Sequence, residues 1–139
     1  MSAPLQRLRG HFVMLRADTL RLLLPQQDVG AARYLDSAEG ALALQAVALS
    51  GEMRPLEACP PGRFLLIRLG DGGQATWFAW NEVRVMIDAE LEPHELPDAL
   101  RTSHSPLHGF VELEGEIAFL TRASQVLAHS LSTHLPSEG

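Results

Sequence analysis

Lysine is absent from this chain: all eleven basic residues are arginine, a skew that matches GC-rich coding. Against 17 acidic side chains the balance is a formal charge of −6, and an acidic surface repels phosphates. That argues against a DNA, RNA or anionic-membrane partner held by charge. Cysteine is nearly absent too. Cys59 alone, followed by Pro60 and Pro61, forms neither an internal disulfide nor a multi-thiolate metal site, so a reducing, cytoplasmic setting is expected. Long apolar runs are missing. The run HFVML is cut off by Arg16 and Asp18 short of signal-peptide length, and no stretch would cross a bilayer.

Signatures of catalysis are missing as well. Leu49-Ser50-Gly51 lacks the flanking glycine of a nucleophile elbow. Gly70-Asp71-Gly72-Gly73 leads into a strand rather than a helix and lacks the lysine of a phosphate-binding loop. His94, His104 and His108 match no compact zinc spacing. No enzyme activity, cofactor or metal is therefore expected.

What is present is a chain of 139 residues, 46% apolar, suited to one domain with a substantial core. Short apolar segments recur at roughly ten-residue spacing between turn signals, as in all-β barrels and sandwiches. Gly10–Arg16 and Thr19–Leu24 read as a first hairpin ending at Pro25, with one helical turn over Gln26–Val29. From Gly30 to Leu35 the chain either prolongs that turn or returns to strand, and Asp36–Gly40 is a loop. Leu42–Leu56 reads as a second hairpin, with its turn at Ser50-Gly51. Arg63–Leu69 and Gln74–Trp80 form a third, around Asp71-Gly72-Gly73.

Asn81–Ile87 has strand alternation, with Val83, Val85 and Ile87 on one face. Pro97–Leu107 reads as a surface loop. His108–Leu120 makes a fourth hairpin around Glu114-Gly115, and Thr121 is the expected N-cap of an amphipathic helix carrying Val126, Leu127 and Leu131.

Two stretches are candidates for contact with a partner. Ser50, Gly51 and Glu52 place a hydroxyl, a permissive backbone and a carboxylate at a hairpin tip, either as a binding edge or as a solvated turn. Trp77, Phe78 and Trp80 lie in one strand, so alternation sends Phe78 and Trp80 to one face and Trp77 to the other. Such a strand is either sandwiched or exposes an aromatic at an interface.

The order of elements, with three local patterns, resembles the CheW family of bacterial chemotaxis coupling proteins. The patterns are Leu24-Pro25-Gln26-Gln27-Asp28-Val29, the turn Ser50-Gly51-Glu52-Met53-Arg54-Pro55, and Trp80-Asn81-Glu82-Val83, with His108-Gly109-Phe110-Val111 leading to the terminal helix. The resemblance implies an all-β fold of two SH3-like barrels sharing a hydrophobic interface, with a C-terminal helix. It spans 10–131 as a single domain, after a lead-in at 1–9 and before a tail at 132–139.

The implied function is a non-catalytic cytoplasmic adaptor in a bacterial chemotaxis-type or motility system, coupling a receptor-like or regulatory protein to a chemotaxis-type histidine kinase or another scaffold member through a surface at Ser50, Gly51, Glu52, Trp80 and Asn81. Three positions depart from the pattern: Ser50 replaces an arginine, Asn81 an aspartate and Trp80 a small aliphatic, so a specialised member is expected. The alternative is a small-molecule-binding or enzymatic β-barrel with a pocket near His94, His104 and His108.

Overall fold

Apolar residues on both faces of the first two strands set the architecture. In a computed structural model of the chain, β1 (Leu8–Ala17) and β2 (Leu20–Pro25) form an antiparallel hairpin with Phe12 opposite Pro25 and Ala17 opposite Leu20. The structure describes residues 7–34, 46–50, 53, 56, 63, 65–70, 76–100 and 107–134, with the backbone alone at 100 and 130–134. Asp18 turns the hairpin at φ 55°, a left-handed value that aspartate tolerates better than most residues.

The chain then builds a second sheet before returning to the first. A 3₁₀ turn at Gln26–Asp28 leads into β3 (Val29–Tyr34), so the segment after Gly30 is strand. β4 (Val47–Ala48), β5 (Leu65–Leu69) and β6 (Thr76–Trp80) follow, and these strands form a four-stranded sheet in the order β3-β5-β6-β4. β7 (Glu82–Leu91), β8 (Gly109–Leu113) and β9 (Glu116–Leu120) rejoin the opening hairpin as a five-stranded sheet in the order β7-β1-β2-β9-β8. The architecture is all-β, in two curled sheets, with a C-terminal helix α1 (Ala123–His134). β1 begins at Leu8 because Leu8 and Arg9 still pair with Leu91 and Glu90, and α1 extends to His134.

Alternation along β1 and β2 splits the core. Val13, Leu15, Leu22 and Leu24 pack with Leu69, Phe78, Trp80 and Val126 in one cluster, which joins the two sheets and the helix. Phe12, Met14 and Leu23 face the other way, onto Leu91, Val111, Ala118 and Leu120. A smaller cluster of Ala48, Leu66 and Ala79, with Trp77 against it, covers the far face of β6. The segment Trp77–Trp80 is therefore sandwiched.

Three expected hairpins form: β1–β2, β5–β6 and β8–β9, the last turning at Glu114 (φ 51°) and Gly115 (φ 83°). The hairpin expected at Leu42–Leu56 is only partly visible, since 42–45 and most of 51–62 lie outside the described residues, as do 36–40 and 71–73. Within its described part the Met53 N–H donates to the Ser50 carbonyl at 2.9 Å and the Leu56 N–H to that of Ala48 at 2.8 Å. The ladder recorded for β4, however, is parallel with β6.

Thr121, the expected N-cap, stands two residues before the first residue of α1. That residue still belongs to the sheet, its N–H donating to the Leu23 carbonyl at 3.1 Å, beyond the parallel pairing of β2 with β9. From the turn after β2, Asp28 reaches across and accepts from the Ala123 N–H at 2.9 Å. Arg122 donates to the same carboxylate through Nε and Nη2, at 2.8 and 3.0 Å.

That guanidinium holds the Asp28 carboxyl below the usual aspartate range. A carboxylate with a lowered folded-state pKa contributes stability at neutral pH that is lost as pH falls through the lowered value. Asp28→Ala should cost about 1–2 kcal/mol in urea denaturation at pH 7. The gap between wild type and Asp28→Asn should be full at pH 7 and narrow below about pH 4.

Candidate functional site

A buried arginine links the residues that the sequence singled out. Arg63 precedes β5, its side chain is without exposed surface, and its guanidinium reaches three acceptors on separate segments. Nη1 donates to the Ala79 carbonyl on β6 at 3.3 Å. Nη2 donates to the Leu49 carbonyl at 2.9 Å and to Asp18 Oδ2 at 3.1 Å. Only a planar group with several donors in a fixed fork serves acceptors in this arrangement. The contact to Asp18 crosses from one sheet to the turn of the other.

Asp18 is held from several directions. Its N–H donates to Asn81 Oδ1 at 2.7 Å, and its carbonyl accepts from Arg16 Nη1 at 3.0 Å. The Asn81 N–H donates to the Arg16 carbonyl at 2.8 Å, which joins the end of β6 to β1 just before β7 begins. Arg16 Nε also donates to Glu82 at 3.0 Å, and Arg84 donates to the same carboxylate at 3.2 Å. Arg16 first, then Arg84, hold the Glu82 carboxyl below its usual range. The arrangement locks two sheets together at a half-exposed polar rim.

Ser50 and Asn81 are both half-buried beside this lock, Ser50 next to Leu49 and Asn81 on Asp18. Gly51 and Glu52 lie outside the described residues. Trp80, expected at the partner surface, is a correction: its side chain has no exposed surface and packs with Phe78 in the core between the sheets. The covering sheet explains this, since alternation within β6 says nothing about what lies above either face. The Trp80 indole N–H has no hydrogen-bond partner among the described residues, a cost of about 1–3 kcal/mol when left unmet.

Two neighbouring exposed apolar side chains lie on β7, while Tyr34 on β3 and Ile117 on β9 are exposed singly. Val83 is half-buried, but Val85 (54% exposed) and Ile87 (65%) continue its face beyond the shelter of the second sheet. β7 is an edge strand, hydrogen-bonded only to β1 among the described strands.

His94 and His108 line different cavities. His94 stacks on Phe110 with ring centroids 5.3 Å apart and lines a cavity of about 370 Å³. His108 lines another, of about 590 Å³, and His104 lies outside the described residues. Arg63 and Asp18 were missed by sequence reasoning. Their signal was an arginine opening the otherwise apolar run RFLLIRL, and an aspartate at a tight turn.

No protein-family model matches the chain, and no curated protein matches it either. Among the described residues, no helix is long and apolar enough to cross a membrane.

Removing Arg63 leaves buried carbonyls without their donor, so Arg63→Ala should cost about 3–5 kcal/mol in urea denaturation. Asp18→Asn keeps a residue tolerant of the left-handed turn at a side chain that is 59% exposed, and should cost about 1 kcal/mol or less.

Proposed function

We propose that this chain is a non-catalytic adaptor of the CheW type, its two sheets corresponding to two SH3-like subdomains that share a hydrophobic interface. The observation that carries the reading is the chain path: β1 and β2 complete the sheet built by β7–β9, while β3–β6 form the other, and one apolar cluster joins them. The co-linear family pattern from Leu24 to the terminal helix supports the same reading.

In this reading the adaptor acts in the cytoplasm by surface complementarity. It couples a chemoreceptor-like protein to a chemotaxis-type histidine kinase, and no step of chemistry is required of it. The surface we assign to it differs from the sequence expectation. Val85 and Ile87 supply an apolar face beside an edge that no other described strand pairs, the kind of template onto which a partner strand or apolar ridge docks. Ser50 and Asn81 contribute a polar rim at the sheet junction, where partner selectivity would reside.

Affinity capture from the cognate bacterium, with captured proteins identified by mass spectrometry, tests this. A chemotaxis-type kinase or chemoreceptor-like protein should be recovered. Val85→Asp and Ile87→Asp should each lower its yield roughly tenfold while leaving the urea midpoint close to wild type. Ser50→Arg should alter the yield as well. Recovery of no signalling protein, or unchanged recovery by both β7 variants, defeats the proposal.

A further inference from the structure

A cavity of about 590 Å³ opens at one end of the five-stranded sheet, within the roughly 300–1,000 Å³ of small-molecule sites. Its floor is apolar: Phe12, Leu23 and Leu120, from the cluster enclosed by that sheet, line it. The polar side chains around it include Arg9, His11 and Arg122, and no acidic residue among those described lines it. In a chain with 17 carboxylates and a charge of −6, it gathers cationic side chains whose carboxylate partners, Asp88 and Asp28, stand outside its lining.

The two arginines are held by carboxylates outside the cavity. Arg9 donates to Asp88 through Nε and Nη2 at 3.0 and 3.2 Å, and Arg122 binds Asp28 through the same pair of nitrogens at 2.8 and 3.0 Å. Each pairing is side-on, and among the described residues neither Nη1 has a hydrogen bond. Carboxylates placed this way orient a guanidinium without consuming its outer donors. His11 is fixed likewise: its Nδ1 accepts from the Asp88 N–H at 3.0 Å, which puts the proton of the neutral ring on Nε2. Asp88 thus positions both Arg9 and His11.

We propose that this cavity binds a small organic anion, a carboxylate on an apolar body, with the anionic end on Arg9, Arg122 and His11 and the body on Leu8, Pro25 and the accessible edges of Phe12 and Leu120. This goes beyond the adaptor reading and does not depend on it. An adaptor with such a site would carry a sensor of its own.

Octanoate and its uncharged counterpart octanamide test the idea on the full chain, by calorimetric titration and amide ¹⁵N–¹H shifts. Octanoate should bind at one saturable site, with shifts centred on Gly10, His11 and Thr121, and octanamide should bind at least roughly tenfold more weakly. Arg9→Gln breaks only a solvent-exposed pair and leaves the fold intact, so it should weaken octanoate about fivefold or more and leave octanamide unchanged. Arg122→Gln should do the same, with folding checked by circular dichroism. Equal affinity for the two probes, shifts centred elsewhere, no saturable binding, or wild-type octanoate affinity in Arg9→Gln would each overturn the proposal.

Discussion

Two strands that are apolar on both faces cannot be left half-covered, and the rest of the molecule answers that requirement. Leu22 and Leu24 of β2 point one way and Leu23 the other, all three without exposed surface. At about 25 cal/mol per Å² of buried apolar area, covering only one face would forgo several kcal/mol over the hairpin. The second sheet and α1 cover one side, and the curl of the first sheet onto β8, β9 and the end of β7 covers the other. Everything near the surface is arranged around that buried hairpin.

Polar contacts between distant segments then fix how the covered layers sit. Arg63 joins β6, the end of β4 and the β1–β2 turn, while Asp28 joins the turn after β2 to the start of α1. Both contacts satisfy backbone groups that burial would otherwise strand. The apolar clusters are non-directional and specify proximity; these two side chains specify registration.

Much of the strand inventory was legible in the sequence, because alternation and turn chemistry are local. Asp18 and Glu114-Gly115 marked hairpin turns that the structure contains, Pro25 preceded the expected helical turn, and Val126 and Leu127 lie on the buried side of α1. The parallel pairings of β2 with β9 and β4 with β6 were not legible, since no turn residue encodes the meeting of segments so far apart. The same limit explains the site. Trp80 carried the chemistry of an interface residue but lies under a second sheet, whereas Val85 and Ile87 carried the pattern of a core face and lie beyond it. Asp28 looked like part of a turn, and its role as a cap depends on a helix whose position only the tertiary fold supplies.

The parallel pairing of Leu22 with Phe119 also governs the order in which the protein can be completed on the ribosome. The opening hairpin emerges early, yet β9 leaves the exit tunnel only after nearly all the intervening chain has been made. At about 5–20 residues per second, that interval is on the order of 5–20 s. Throughout it, a ribbon with greasy surfaces on both sides waits without its neighbour. Nascent-chain chaperones would find their most persistent target in the first two strands, and the fold's reliance on that hairpin becomes a demand on the cell that makes it.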